Sequence, residues 1–342
     1  MSLSSVSATT TTDDQGGATP ITSIHTDIIQ YHILNRLDGP TLASTCCATA
    51  QFSSLCSGNN LWRNICNSTW PSTADPRVSA AISAFPSGHR SFYSDSFPSL
   101  RHHHDVIPHR PENKANHPRV SNTSEFISAV DIYYDDVLLH SKVIVTETLS
   151  CWFLTSPFQV DLLGHKETVA TPLKFEFEGA CMSRVEERLR VSWILIDPVR
   201  KRAVNFASLK PVDVRRQWME EDIQLRYATV VAAGGGDLVQ CGVVVTLGGK
   251  EGGELKIKEA SMQIEDMEGR IVIGIDSLVI LNDAMEGQRR KRDENFEKAV
   301  YEKFSGIRVE LKERKIMKER RLDVVFIGIG VSIFFALWAF FV

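Results

Sequence analysis

Histidine and cysteine are where reactive chemistry would first be sought in this sequence. His102, His103, His104, His109 and His117 crowd one short stretch, and neutral imidazoles bind transition metals. Successive side chains point in different directions, however, and no cysteine or carboxylate framework accompanies them, so the run reads as linker and not as a metal site. The seven cysteines (Cys46, Cys47, Cys56, Cys66, Cys151, Cys181 and Cys241) are odd in number and form no C-x-x-C pair, which argues against a disulfide framework and a zinc site alike. Free thiols in a reducing compartment are the economical reading. Cys151 or Cys181 with a histidine would make a nucleophile and base, but no local signature supports such a pair. Asp135-Asp136 and Glu220-Glu221-Asp222 are adjacent acids of the kind found in solvated turns. Phosphate-cradling, hydrolase-elbow and zincin motifs are missing, so neither a catalytic constellation nor a cofactor is expected. Function must come from surfaces.

Composition agrees. The 342 residues are 43% hydrophobic and 23% charged, which is globular and leaves room for about two domains. Lys+Arg number 38 against 42 for Asp+Glu, a net charge of -4, so no general electrostatic footprint for nucleic acid exists. Residues 1–20 are rich in Ser, Thr and Gly, with no basic start or apolar run, and read as a disordered leader.

Residues 21–70 carry helical spacing. Thr26 and Asp27 suit a helix start, Ile29, Ile33 and Leu37 recur every four residues with Ile28 and Leu34 beside them, and Asp38-Gly39-Pro40 ends one helix and opens another. Leu42, Ala48, Phe52 and Leu55 continue the pattern, and Leu61-Trp62 follow a Gly58-Asn59-Asn60 turn. Three short helices bury little surface alone, so such a unit wants a partner. This stretch, with ILNRLDGPTLAS followed by LW and Trp70-Pro71, resembles the F-box of plant F-box proteins. The resemblance implies a three-helix module that docks on a Skp-type adaptor and, through it, on the cullin and RING subunits of a ubiquitin ligase. It places Ile24 where the family usually has Leu, and Ile28, Ile33, Leu34, Leu37 and Leu42 at the apolar adaptor-contact positions. His25 replaces the usual Pro, and Phe52 the usual Trp of the third helix.

Residues 71–125 break composition toward Pro, Ser and His and are expected to be a linker. From 126 to 284 short β-rich runs dominate: Tyr133-Tyr134, Val137 to Thr148, Lys174 to Glu178, Arg188 to Ile196, Val204 to Ser208, Gln224 to Ala232, Leu238 to Leu247, Glu254 to Glu265 and Arg270 to Leu281. Leu189, Val191, Trp193 and Leu195 alternate with Arg190 and Ser192, as in a sheet with one buried face. Gly234 to Gly236 and Gly248 to Gly253 look like hairpin connections. The expected fold is α+β, with this region a mainly antiparallel, sandwich-like domain that reads an unidentified protein substrate. VSWILIDPVRKRAVNFASL and LRYATVV distantly resemble the lectin-like sandwich that follows the F-box in some plant proteins. That sets up an alternative, a membrane-tethered lectin-like or scaffold protein without a ligase role, with Trp152, Trp193 and Trp218 as candidate sugar platforms.

Residues 285–323 are highly charged, with Phe296, Val300, Phe304, Ile307 and Leu311 along one helical face and Ser305-Gly306 as a candidate bend. Residues 324–342 are uncharged and apolar all round, Val324, Phe326, Phe334, Trp338 and Val342 among them. At 1.5 Å per residue they would span about 28 Å, close to the hydrocarbon thickness of a bilayer. Lys312, Arg314, Lys315, Lys318, Arg320 and Arg321 lie just upstream, which puts the body in the cytosol under the positive-inside rule. The expected arrangement is a single-pass tail anchor in a lipid bilayer; nothing basic follows the span, which favours the endoplasmic reticulum system. The implied role is a non-catalytic, substrate-recruiting subunit.

Overall fold

The computed structural model describes residues 24–101, 123–175, 180–219, 221–233, 238–250 and 252–341. The chain divides into two compact units, residues 1–61 and 62–342. The first is helical: a π-helix over Ile28–Ile33, a 3-10 turn over Leu34–Arg36, α1 (Gly39–Cys46), α2 (Ala50–Leu55) and the start of α3 (Asn59–Thr69). Asp38 caps α1 by accepting from the Thr41 amide at 3.0 Å, and Thr49 caps α2 by accepting from the Phe52 amide at 3.1 Å. Each satisfies an N–H that the first helical turn leaves without a partner.

Residues 71–100, expected as linker, are folded. A 3-10 turn over Pro71–Ala74 leads into α4 (Pro76–Ser83), α5 (His89–Ser96) and β1 (Ser99–Leu100). Val78 and Ile82, one helical turn apart, are fully buried, as is Phe92. Trp70 meets Phe92 edge-on at 5.8 Å and Tyr93 at 5.6 Å, while Trp62 lies 5.2 Å from Tyr93. These rings supply the apolar burial that Pro/Ser-rich composition conceals. The histidine run 102–117 lies outside the described residues.

The remaining strands are β2 (Glu125–Tyr134), β3 (Val137–Glu147), β4 (Gln159–Asp161), β5 (Val169–Lys174), β6 (Leu189–Asp197), β7 (Arg202–Asn205), β8 (Asp213–Arg216), β9 (Ile223–Ala232), β10 (Leu238–Gly248), β11 (Glu254–Glu265) and β12 (Arg289–Arg290); helices α6 (Cys151–Thr155), α7 (Ala180–Arg188), α8 (Gly274–Glu286) and α9 (Glu294–Phe341) complete the chain. One antiparallel sheet runs β3-β2-β6-β7; a larger one runs β4-β11-β10-β9-β8, with β5 also on β11. Both feed a single core: Val130, Ile132, Val191, Trp193 and Leu195 from the first, Leu225, Tyr227, Val243, Val245, Ile257 and Met262 from the second. The Tyr227 hydroxyl donates across to the Leu189 carbonyl at 2.9 Å.

Three expectations need correction. β6 is buried on both faces, since Ser192, Ile194 and Ile196 are covered as well as Leu189, Val191, Trp193 and Leu195, with α5 and α8 against the neighbouring β7. Arg270–Leu281 is not a strand: it enters α8 at Gly274, and burial of Ser277, Leu278, Leu281, Ala284 and Met285 follows a helical period. A Cβ on Gly274 would stand 2.0 Å from the Phe153 carbonyl oxygen, so glycine lets α8 start directly against α6. Trp193 is fully buried and donates from Nε1 to Ser128 Oγ at 3.2 Å, which removes it as a sugar platform. The Gly234 to Gly236 connection lies outside the described residues.

Asp131, fully buried in β2, fastens the segment after α3 to the sheet. Its carboxylate accepts from the Ser72 amide at 2.9 Å, from Ser72 Oγ at 2.6 Å and from Ser141 Oγ at 2.7 Å. Beside it, the Tyr133 hydroxyl donates to the Thr69 carbonyl at 2.8 Å. Burial pushes the Asp131 carboxyl above its ordinary range, against the pull of the bonds from Ser72 and Ser141. In an Asp131→Asn chain the amide nitrogen turns a donor toward donors. The substitution is expected to cost about 1–3 kcal/mol of unfolding free energy, read from the denaturant midpoint, and Ser72→Ala added to it should cost less than it does alone.

Candidate functional site

The π-helix sets which apolar side chains of the first unit face outward. Its closing bond runs from the Leu34 amide to the Ile29 carbonyl, five residues back, so residues five apart share a face. Ile29 and Leu34 are accordingly both 1% exposed, while Ile28 is 49%, Tyr31 62% and Ile33 38% exposed. These three are the exposed large apolar side chains of this short helix.

Of the six expected contact residues, Ile28 and Ile33 are therefore presented to solvent, and Ile24 and Leu37 are half-buried. Leu34 and Leu42 are buried, at 1% and 0% exposure, and belong to the interior. Phase accounts for Leu34: a regular α-helix would set it well away from Ile29, whereas the wider π turn brings the two toward one side. Tyr31 was not anticipated, because nothing in a 3.6-residue period marks it as outward and apolar. Among the two departures from the plant pattern, His25 is exposed and Phe52 half-buried. Hydrogen bonding from Thr41 to the Asp38 carboxylate holds that group below its ordinary pKa.

The second feature is α9, 48 residues long and therefore about 72 Å from end to end. It continues unbroken through Ser305-Gly306, where the glycine faces open space. Its first turns pack on the body through Glu297, Tyr301 and Phe304, all buried; Phe296, Val300 and Ile307 of the expected apolar face are half-buried, and Leu311 is exposed. Glu297 accepts from the Leu209 amide at 2.8 Å and from Ser99 Oγ. The basic run before it is structural: Arg289 donates to the carbonyls of Asp95, Gly287 and Ala203, Arg290 covers the Phe296 ring at 3.3 Å, and Arg292 binds the Ala207 carbonyl. Further along, Arg308 meets Glu265 at 3.0 Å and Lys315 meets Glu268 at 3.3 Å.

Beyond Lys315 every described residue of α9 is exposed. An 18-residue window has mean hydropathy 2.5 and is 0% buried; Val324, Phe326, Phe334 and Trp338 are all more than half exposed, and Val342 lies outside the described residues. By length and composition this helix is sufficient to cross a membrane. Among the described residues no cluster of His, Cys, Asp or Glu is arranged to hold a metal ion. Trp152 and Trp218 are exposed.

No protein-family model and no solved structure matches the chain. It is 40% identical over 337 residues to an Arabidopsis thaliana protein named F-box protein At2g27310, covering 94% of this chain and 96% of the relative. Identity is 39% over 329 residues to F-box protein At3g44326 of the same organism, covering 93% and 87%. It is 39% over 344 residues to the Arabidopsis protein named Probable F-box protein At2g36090, covering 98% of each.

Glu265 ties α9 to the sheet in a pH-dependent way. It receives Arg226 at 2.5 Å and Arg308 at 3.0 Å. Burial pushes its carboxyl up, but the two guanidiniums together outweigh burial and leave it below its ordinary value. A carboxyl lowered on folding stabilises the native state above the ordinary carboxylate range, and that contribution is lost as pH falls through the folded value. Glu265→Gln should cost about 1.5–3 kcal/mol near neutrality and flatten the acid limb of stability against pH, measured by denaturant unfolding across that range.

Proposed function

Because the chain belongs to the F-box protein family of plants, we propose that it recruits substrates to a Skp-cullin ubiquitin ligase from the surface of a membrane. The observation that carries the adaptor step is the exposure of Ile28, Tyr31 and Ile33, with Ile24 and Leu37 half-buried. Exposed aliphatic and aromatic side chains on a short, capped helical unit are the material of a protein-protein contact. Ubiquitin transfer belongs to other subunits. This chain supplies proximity, with the sheet body as the substrate reader.

Pull-down of a Skp-type adaptor by the full-length chain tests this. Ile28→Asp and Ile33→Asp should each weaken binding by about 2 kcal/mol, roughly thirtyfold in Kd, with the circular dichroism spectrum intact. Leu34→Asp instead buries a charge and should lower stability. Adaptor binding indifferent to both surface substitutions removes the ligase role and favours the scaffold or lectin-like reading.

The membrane step rests on the exposed apolar end of α9. Residues 324–341 would rise about 27 Å, enough to cross the hydrocarbon layer. The upstream lysines and arginines from Lys312 to Arg321 keep the body on the cytosolic side. The full-length chain is expected to stay in the pellet on carbonate extraction, and a chain ending at Asp323 to wash off. Equal release of both would exclude insertion.

A further inference from the structure

The second unit has an uncovered apolar face at one end, next to where α9 leaves it. Trp152 on α6 is 81% exposed, and Ile273, Ile275 and Val279 at the start of α8 are 40%, 51% and 41% exposed. The two helices abut, since Gly274 lies against the Phe153 carbonyl and Pro157 bridges to Ile273. Ile273 and Val279 then line a groove of about 1160 Å³ whose other wall is α9, including Leu311, Lys312, Lys315 and Ile316. Exposed apolar side chains thus recur from α6 through the groove to the stretch of α9 just ahead of its apolar end, with Asp266, Glu268, Arg270 and Asp276 among them. Exposed apolar surface rimmed by polar residues marks an interaction site.

Position along α9 identifies the occupant. Lys315 is bonded to Glu268, in the turn that leads into α8, and Val324 follows nine residues later, a rise of about 13.5 Å. That turn and the first residues of α8 therefore stand about one helix diameter from the hydrocarbon boundary, just above the headgroup layer. The opposite end of the body is identified in the same way. Asp135, in the β2–β3 turn, pairs with Arg188, and Glu186 of the same helix, α7, pairs with Lys298, 17 residues and about 25 Å before Lys315 along α9. The Lys315–Glu268 pair and the abutment of α8 on α6 put Trp152 and Ile275 at the end of the body nearer the bilayer.

We infer that this α6–α8 face docks on the lipid surface of the membrane that α9 enters, with Trp152 and Ile275 in the headgroup region and Arg270, Lys312 and Lys315 at its rim. Tryptophan and aliphatic side chains suit that layer, where one side is apolar and the other wet. Tethering by the span makes the contact intramolecular, so a modest apolar face is sufficient to close it. The inference rests on insertion of α9 and adds a second contact with the same bilayer.

Cys151 provides a reporter, because it is exposed beside Trp152 and Cys47 is the other exposed thiol among the described residues. A full-length Cys47→Ser chain is labelled at Cys151 with a fluorophore and reconstituted into phosphatidylcholine/phosphatidylserine vesicles carrying a nitroxide quencher at headgroup level. Companion chains with both thiols replaced carry the label at Val137→Cys, on the opposite end, or at Ala336→Cys with a mid-chain quencher. The expected result is loss of emission at 151 and 336 and none at 137, with Ile275→Asp plus Val279→Asp restoring emission at 151 only. Quenching at 336 without quenching at 151 overturns the docking face and leaves insertion standing, as does a signal at 151 that the double aspartate variant does not change. Emission unquenched at 336 removes insertion and docking together.

Discussion

Glu265 closes β11, and its carboxylate receives one guanidinium from within the sheet, Arg226, and one from the helix that leaves it, Arg308. The side chain is 7% exposed, so neither bond is freely exchanged for water. Gln263 adds a further donor at 2.6 Å. A charge this deep is tolerable only while its partners stay in place, which makes the register of α9 against the larger sheet a condition of folding and not a loose docking. Tyr301 and Phe304 then have a fixed place to bury, and the Lys315–Glu268 pair fixes where the body ends and the free helix begins.

Asp131 plays the matching part on the other sheet. It draws the first turn after α3 onto β2, and with it the aromatic cluster of Trp70, Phe92 and Tyr93. Two buried carboxylates thus join the sheets to the segments that enter and leave them. Both sit on strands whose apolar residues alone would place them, and in both cases the polar contact decides which neighbour is held and in what register.

Where the sequence was legible, one period ruled. β9, β10 and β11 lie within a residue or two of their β-branched runs, and the α9 apolar end is recognisable from composition alone. Arg270–Leu281 misleads because RIVIGIDSLVIL satisfies a period of two and a period of 3.6 at once, and only the close approach at Gly274 and the core contacts of α8 select the helix. Residues 71–100 mislead for the opposite reason: the apolar groups are few, but they are large rings that meet in space. The exposed apolar residues of the first unit were half legible. Ile28 and Ile33 follow from the family pattern, whereas burial of Leu34 and exposure of Tyr31 accompany a π turn that sequence periodicity does not encode. The approach of α6 to α8, at Gly274 against Phe153, joins residues more than 100 positions apart and had no local signal.

The continuity of α9 has a mechanical consequence. A helix with no proline, no π-turn and no break between its packed turns and its apolar end behaves as one lever, and bilayer-spanning helices answer a change in hydrocarbon thickness by tilting. With the end of α9 in a bilayer, that tilt is transmitted to the residues clamped by Arg308 and Lys315. The orientation of the sheet body, and whatever it holds, then becomes a function of the thickness of the membrane around it.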